Sequence, residues 1–213
     1  ASQFNAGQTN QRNASMFSAQ NQANKLNASQ SIAERMAEFG VDVIEHGGSM
    51  TDETIQLLLD KNIPIVTTLA PLVMQSQAEL ARQYNIPEWK ILERQKAVAN
   101  RGRYDGLIKA SNAGVKIAFG TDAGSPVVGH EVVAPELKFM VELGIKKDNY
   151  DALRCATIVA AEVSKLDDYL GTLEAGKSAD IIVMNGNPLE NLDALEYVKM
   201  TFIEGKDMLG TVN

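Results

Sequence analysis

Residues 115–124 read Val115-Lys116-Ile117-Ala118-Phe119-Gly120-Thr121-Asp122-Ala123-Gly124. An apolar run closed by Gly120 predicts a short buried strand over 115–122 that ends on a carboxylate. The residues before it are helical in pattern from about Gln75 to Asn112. Asn85-Ile86-Pro87 divides that stretch, with Pro87 suited to a new first turn, and Gly114 closes it. Further upstream, Ile63-Pro64-Ile65-Val66-Thr67-Thr68-Leu69 predicts another strand, with Pro64 at its start where a missing N–H costs least. Before that, Thr51 or Asp52 caps a helix carrying Ile55, Leu58 and Leu59, and Val41-Asp42-Val43-Ile44 is a short strand leading into Glu45-His46-Gly47-Gly48. Ile32, Met36 and Phe39 recur at helical spacing and Gly40 ends that helix.

Downstream of Asp122 a Gly/Pro-rich loop runs to Gly129-His130. Helices are expected over 132–143 and 150–165, the second with Leu153, Ala156, Val159, Ala160 and Val163 along one face. The order strand–helix–strand–helix–strand–helix implies parallel strands with right-handed crossovers, an α/β fold. The tail differs. Residues 179–184 and 198–203 are strands joined by Asn185-Gly186-Asn187-Pro188 and a short helix, which predicts a small β subdomain. The expected organisation is an arm over 1–30, an α/β unit over 31–172 and a β-subdomain segment over 173–213.

Composition narrows the partners. The chain has 213 residues, of which 45% are hydrophobic, enough for a sizeable core. No apolar run approaches the roughly 18 residues that span a bilayer, so no membrane partner is expected. The net charge is −7 and no basic stripe exists, which argues against nucleic acid. The single cysteine, Cys155, lies in an apolar helical pattern and reads as a small buried hydrophobe. The chain begins with Ala1 and shows no signal peptide, leaving an upstream start open and the cytoplasm as the default location. Residues 1–30 hold twelve Asn or Gln and few apolar residues, so they predict a polar helix or a disordered arm.

In parallel βα folds the working residues sit where strands end, at the carboxyl edge of the sheet. Two predicted strands end on metal-competent side chains, His46 in Ile44-Glu45-His46-Gly47-Gly48 and Asp122 in Gly120-Thr121-Asp122-Ala123-Gly124. The glycine close behind each lets the chain turn away and leaves the side chain facing a pocket. A histidine supplies a nitrogen ligand for zinc, and a carboxylate both binds metal and takes a proton from metal-activated water. Either residue alone is commonly structural. Their occurrence on successive candidate sites of one array is what makes them a pair.

Val41-Asp42-Val43-Ile44-Glu45-His46-Gly47, Lys116-Ile117-Ala118-Phe119-Gly120-Thr121-Asp122-Ala123-Gly124 and the run from Leu170 to Leu189, in this order, resemble the carboxyl-terminal half of the amidohydrolase superfamily. The imidazolonepropionase-like and prolidase-like metal-dependent hydrolases are the nearest subgroup in pattern. The resemblance implies a (β/α)8 TIM barrel with a small β-sandwich, of which this chain would supply strands six to eight. It implies that His46 is the metal-ligand histidine after strand six. Asp122 would be the aspartate after strand eight, which holds metal and shuttles a proton. His130 would take a substrate-side role. The implied cofactor is a divalent metal, zinc by preference. The implied reaction is hydrolysis of an amide or other C–N bond in a small molecule such as an N-acyl amino acid, a dipeptide or a cyclic amide.

The pattern also departs from the family. The family opens its metal site with His-x-His on strand one and adds a lysine or acidic bridge and a further histidine on strands four and five. This chain has two histidines, His46 and His130, and no His-x-His. A catalytic zinc commonly takes three protein ligands, and His46 with Asp122 make two. Glu45 is a poor third, because strand alternation turns it to the opposite face. The chain by itself is therefore expected to be inactive or very weak, with a missing barrel half or a second copy as partner. The alternatives are a non-catalytic structural or interaction protein assembled through the Asn/Gln-rich arm, and a metal-free small-molecule binder using the loop at 120–129. That loop lacks a phosphate-binding glycine pattern.

Overall fold

The computed structural model describes residues 39–210. The arm expected over 1–30 and most of the helix expected before Gly40 lie outside the described residues. The order is β1 (Ile44–Glu45), α1 (Asp52–Asp60), β2 (Ile65–Thr67), α2 (Ala70–Ser76), α3 (Ala78–Gln83), α4 (Glu88–Asn100), α5 (Gly102–Ala113), β3 (Ile117–Phe119), α6 (Val133–Glu142), α7 (Asn149–Cys155) and α8 (Ile158–Val163). β4 (Ile181–Met184), a 3₁₀ turn over Leu192–Glu196, β5 (Val198–Ile203) and β6 (Lys206–Asp207) complete it.

β1, β2 and β3 form one parallel sheet in that order, with Ile44 beside Ile65 and Ile65 beside Ile117. Parallel neighbours require a crossover, and helices α1 to α5 supply them. The second sheet is antiparallel, with Ile181 opposite Phe202 and a register irregularity between Val183 and Met184. The α/β reading is therefore borne out.

Local chemistry sets most boundaries. The Thr51 hydroxyl accepts from the Thr54 N–H at 3.2 Å, and Asp52 and Glu53 put negative charge on the first turn of α1. Pro87 stands as the N-cap of α4, and Gly114 ends α5 with φ +98°. The strands are shorter than expected. Strand character begins at Ile44, not Val41, because Asp42 is exposed and tied to Lys165 at 2.7 Å. The long helical stretch breaks again at Arg101, whose φ of 53° is left-handed. The helix expected over 150–165 breaks at Thr157, whose hydroxyl donates back to Leu153 O at 2.9 Å. That break resets the helical phase, so Ala152, Cys155 and Ala161 are buried, whereas all five residues of the expected face keep partial exposure.

The core lies between the parallel sheet and its helices. Ile65 and Ile117 of the strands pack with Leu58, Leu107, Leu137 and Met140 of the helices, all essentially inaccessible. Cys155 is buried among them, as its apolar setting predicts. Leu192 of the 3₁₀ turn joins this core, and an ion pair between Lys138 and Asp193 ties α6 to the same turn. The antiparallel sheet is thereby fixed to the α/β part. No helix among the described residues is long and apolar enough to cross a membrane.

Candidate active site

His46 follows β1 by one residue and Asp122 follows β3 by three. Both have left-handed backbones, with φ of 69° and 56°. That conformation is costly for a residue with a Cβ and persists where surrounding contacts over-determine it. For Asp122 the contacts are a loop of turns: Ser125 N–H donates to Asp122 O at 3.2 Å, and Gly124 N–H to Val128 O at 2.9 Å. Both side chains are thrown to the carboxyl edge of the sheet. There they line one open cavity of about 220 Å³ with Thr68, Arg94, Arg103 and Ser125.

Hydrogen bonds fix its walls. His46 N–H donates to Val66 O at 2.9 Å, which continues the β1–β2 ladder past the last strand residue. The His46 ring nitrogen Nδ1 meets the Thr68 hydroxyl at 2.6 Å. Arg103, on α5, donates to His46 O through Nε at 3.2 Å and Nη2 at 2.7 Å. The same Nη2 reaches Thr68 O at 3.1 Å. Arg94 Nε donates to Gln75 Oε1 at 3.1 Å, while the Gln75 amide donates to Ser125 Oγ at 3.2 Å and Pro126 O at 2.9 Å. Gln75 is buried, so it couples α2 and α4 to the loop after Asp122.

Behind the cavity Glu136, on α6, is fully buried. Its carboxylate accepts from Leu69 N–H at 2.8 and 2.9 Å and from Ala70 N–H at 2.6 Å. Burial pushes its pKa up to about 7, opposed by those two N–H groups and the Arg103 charge. Burial also lowers the Arg103 pKa, with Tyr104, Glu136 and Asp122 opposing.

The structure brings His46 and Asp122 together and leaves His130 out. His130 is exposed and is not among the residues that line the cavity. Glu45 is exposed and also absent from the lining, as strand alternation requires. No group of three His, Cys, Asp or Glu side chains placed for one metal exists among the described residues. His46 and Asp122 are the metal-competent side chains among the residues that line this cavity. Sequence reasoning missed Thr68, Arg94, Arg103, Gln75 and Glu136. Thr68 was findable, since it stands at the carboxyl end of a predicted strand.

Larger clefts lie elsewhere among the described residues. One of about 490 Å³ sits at the amino ends of the strands, where Lys116 pairs with Glu162 and Lys165 with Asp42, each at 2.7 Å. Another of about 510 Å³ is mainly apolar and lies between α8 and β4. Neither contains His46, His130 or Asp122, and neither is at the catalytic edge of a βα array.

The Amidohydrolase family pattern matches residues 23–208. An uncharacterised Mycobacterium tuberculosis protein is 29% identical over 170 residues, which cover 78% of this chain and 42% of that protein. The Aspergillus niger ochratoxinase is 31% identical over 166 residues, 75% of this chain and 32% of the enzyme. The structure of a candidate prolidase from Bifidobacterium longum superposes with a TM-score of 0.73 at 31% identity, covering 83% of this chain and 44% of that one. The chain thus spans less than half the length of these relatives. With a family match over most of its length and the same fold in its neighbours, the chain belongs to the Amidohydrolase family.

Proposed function

We propose that this chain forms the carboxyl-terminal half of a metal-dependent hydrolase that cleaves amide or other C–N bonds in small substrates. The observation that carries the reading is the convergence of His46 and Asp122, from the ends of two different strands, on one cavity. Strands β1 to β3 then correspond to strands six to eight of a (β/α)8 barrel. The division near residue 172 separates barrel from β subdomain. The names of the relatives support amide chemistry: a prolidase solved with N-methylphosphonate-L-proline, an ochratoxinase and an imidazolonepropionase. N-acyl amino acids, dipeptides and cyclic amides are the substrate classes this reading favours.

His46 and Asp122 would hold the divalent metal, zinc by the match of an imidazole nitrogen and a carboxylate oxygen to that ion. The bound ion supplies a water activated near neutral pH. The rest falls to the chain. Asp122 accepts the proton of the attacking water on a carboxylate oxygen and delivers it to the leaving nitrogen. The Ser125 and Gly124 turns hold Asp122 in place while it does so. Two ligands are short of a working set, so the remaining donors come from outside the described residues.

Replacing Asp122 by Asn tests the assignment. The loss of the base should lower kcat of the protein complete with its barrel partner by about 10² to 10⁴. Turnover at the level of the unaltered protein would remove Asp122 from the mechanism. A non-catalytic scaffold is the second reading, favoured by the lack of a three-donor group among the described residues. It requires no stoichiometric metal, and oligomers that disappear when residues 1–30 are deleted.

A further inference from the structure

The left-handed turn at His46 leaves its ring and its carbonyl outside the strand ladder, and both are held by residues far away in sequence. The carbonyl receives two donors from one guanidinium, Arg103 Nε and Nη2. The ring nitrogen Nδ1 lies within hydrogen-bond distance of the Thr68 hydroxyl. Arg103 Nη2 also reaches Thr68 at both its carbonyl, 3.1 Å, and its hydroxyl, 3.3 Å. Arginine can only donate, so the Thr68 oxygen spends one acceptor site on it. Thr68 is itself buried, and the next two N–H groups of the chain are fixed by Glu136. The hydroxyl is thus a fixed point, and the imidazole turns to meet it.

We propose that Thr68 and Arg103 are positioning residues for His46: Thr68 accepts the Nδ1–H proton, Arg103 clamps the two carbonyls, and Nε2 is the nitrogen presented to the cavity. This deepens the hydrolase reading and rests on it for the role of Nε2. The Nδ1 contact at 2.6 Å commits that nitrogen, which leaves Nε2 as the one free to bind a ligand. A ligating histidine is commonly fixed in this way, by a hydrogen bond at its other nitrogen that sets the tautomer and the ring plane. Here the bond comes from the neighbouring strand end, and the arginine that braces it comes from a helix.

Helix α5 is built to deliver that arginine. Gly106 lies three residues after Arg103, on the same helical face. A Cβ at Gly106 would stand 2.3 Å from Gly48 O, so the helix approaches the loop after His46 as closely as backbone permits. The Arg103 side chain starts one turn earlier, against the same loop.

The chain contains two histidines, which makes the test direct. Uniform ¹⁵N-histidine labelling, with His130→Gln to assign the signals, reports which ring nitrogen of His46 carries the proton at alkaline pH. The expected result is Nδ1–H in the unaltered metal-free chain. Thr68→Val should return the ring to the Nε2–H form that free imidazole side chains favour, and Thr68→Ser should restore Nδ1–H. Zinc affinity of the protein complete with its partner half should fall about 10- to 100-fold in Thr68→Val and recover in Thr68→Ser. Nε2–H in the unaltered chain, or one tautomer shared by unaltered chain and both variants, would overturn the proposal. The two readings separate cleanly. The expected tautomers together with a complete protein that binds no metal would sink the hydrolase reading and leave the positioning role. Metal bound with unaltered affinity by Thr68→Val would do the reverse.

Discussion

Glu136 has no accessible surface, and both its oxygens are taken by the N–H groups of Leu69 and Ala70. Its pKa is pushed up to about 7 because burial disfavours the charged form more than the N–H donors and Arg103 favour it. In the unfolded chain the group returns to its ordinary 4.5. The folded state therefore holds a proton between these values that the unfolded state has released. Stability from this group is fully present below pH 4.5 and is lost as pH rises through about 7. The whole effect is of the order of 3 kcal/mol. Urea unfolding at pH 5 and pH 8 should show the protein weaker at pH 8, and Glu136→Gln should flatten the difference. An equal slope in that variant would assign the pH dependence elsewhere. The same residue illustrates what a sequence withholds. Glu136 lies in a run, Val132 to Leu143, that reads only as a helix, and nothing local announces a carboxylate turned into the core.

Helix α5 carries the next consequence. Gly106 meets Gly48 O and Met50 N, so an added methyl finds backbone atoms that cannot rotate aside. Gly106→Ala should destabilise the fold by about 1–3 kcal/mol, whereas a helix interior ordinarily gains from that exchange. Asn112→Ala, on an exposed position of the same helix, should be neutral or slightly stabilising. Equilibrium unfolding separates the two, and a Gly106→Ala protein as stable as the parent would show that α5 is free to shift. Element boundaries were legible where one residue's own chemistry makes them. Thr51 caps, Pro87 opens a helix and Gly114 closes one. The break at Thr157 carries no glycine or proline, and the break at Arg101 puts the left-handed turn on the arginine and not on Gly102 beside it, so neither was foreseen. That His46 and Asp122 share one cavity was legible because both follow predicted strands of one parallel array, whose carboxyl ends lie on the same edge. Arg103 was not, because it acts through backbone carbonyls of residues that only the fold brings near.

At the scale of the whole molecule, the parallel sheet has β1 and β3 at its edges, and among the described residues neither has a second neighbour. The antiparallel sheet leaves apolar side chains in solvent. Ile182 and Ile203 are 53% and 48% exposed, and Met208 and Leu209 are each 56% exposed. Ile182 pairs with Thr201, and side chains alternate along a strand, so Ile182 and Ile203 project from one face. Open strand edges and contiguous apolar surface both favour association. The isolated chain should therefore exceed its monomer mass of 23.1 kDa in light scattering at tens of micromolar. The double variant Ile182→Lys, Ile203→Lys should lower that mass if the β4–β5 face drives association. A mass unchanged in the double variant would assign association to the edges of the parallel sheet, where a segment bearing further barrel strands should suppress it. A stable monomer of the unaltered chain would show that neither surface is open in solution.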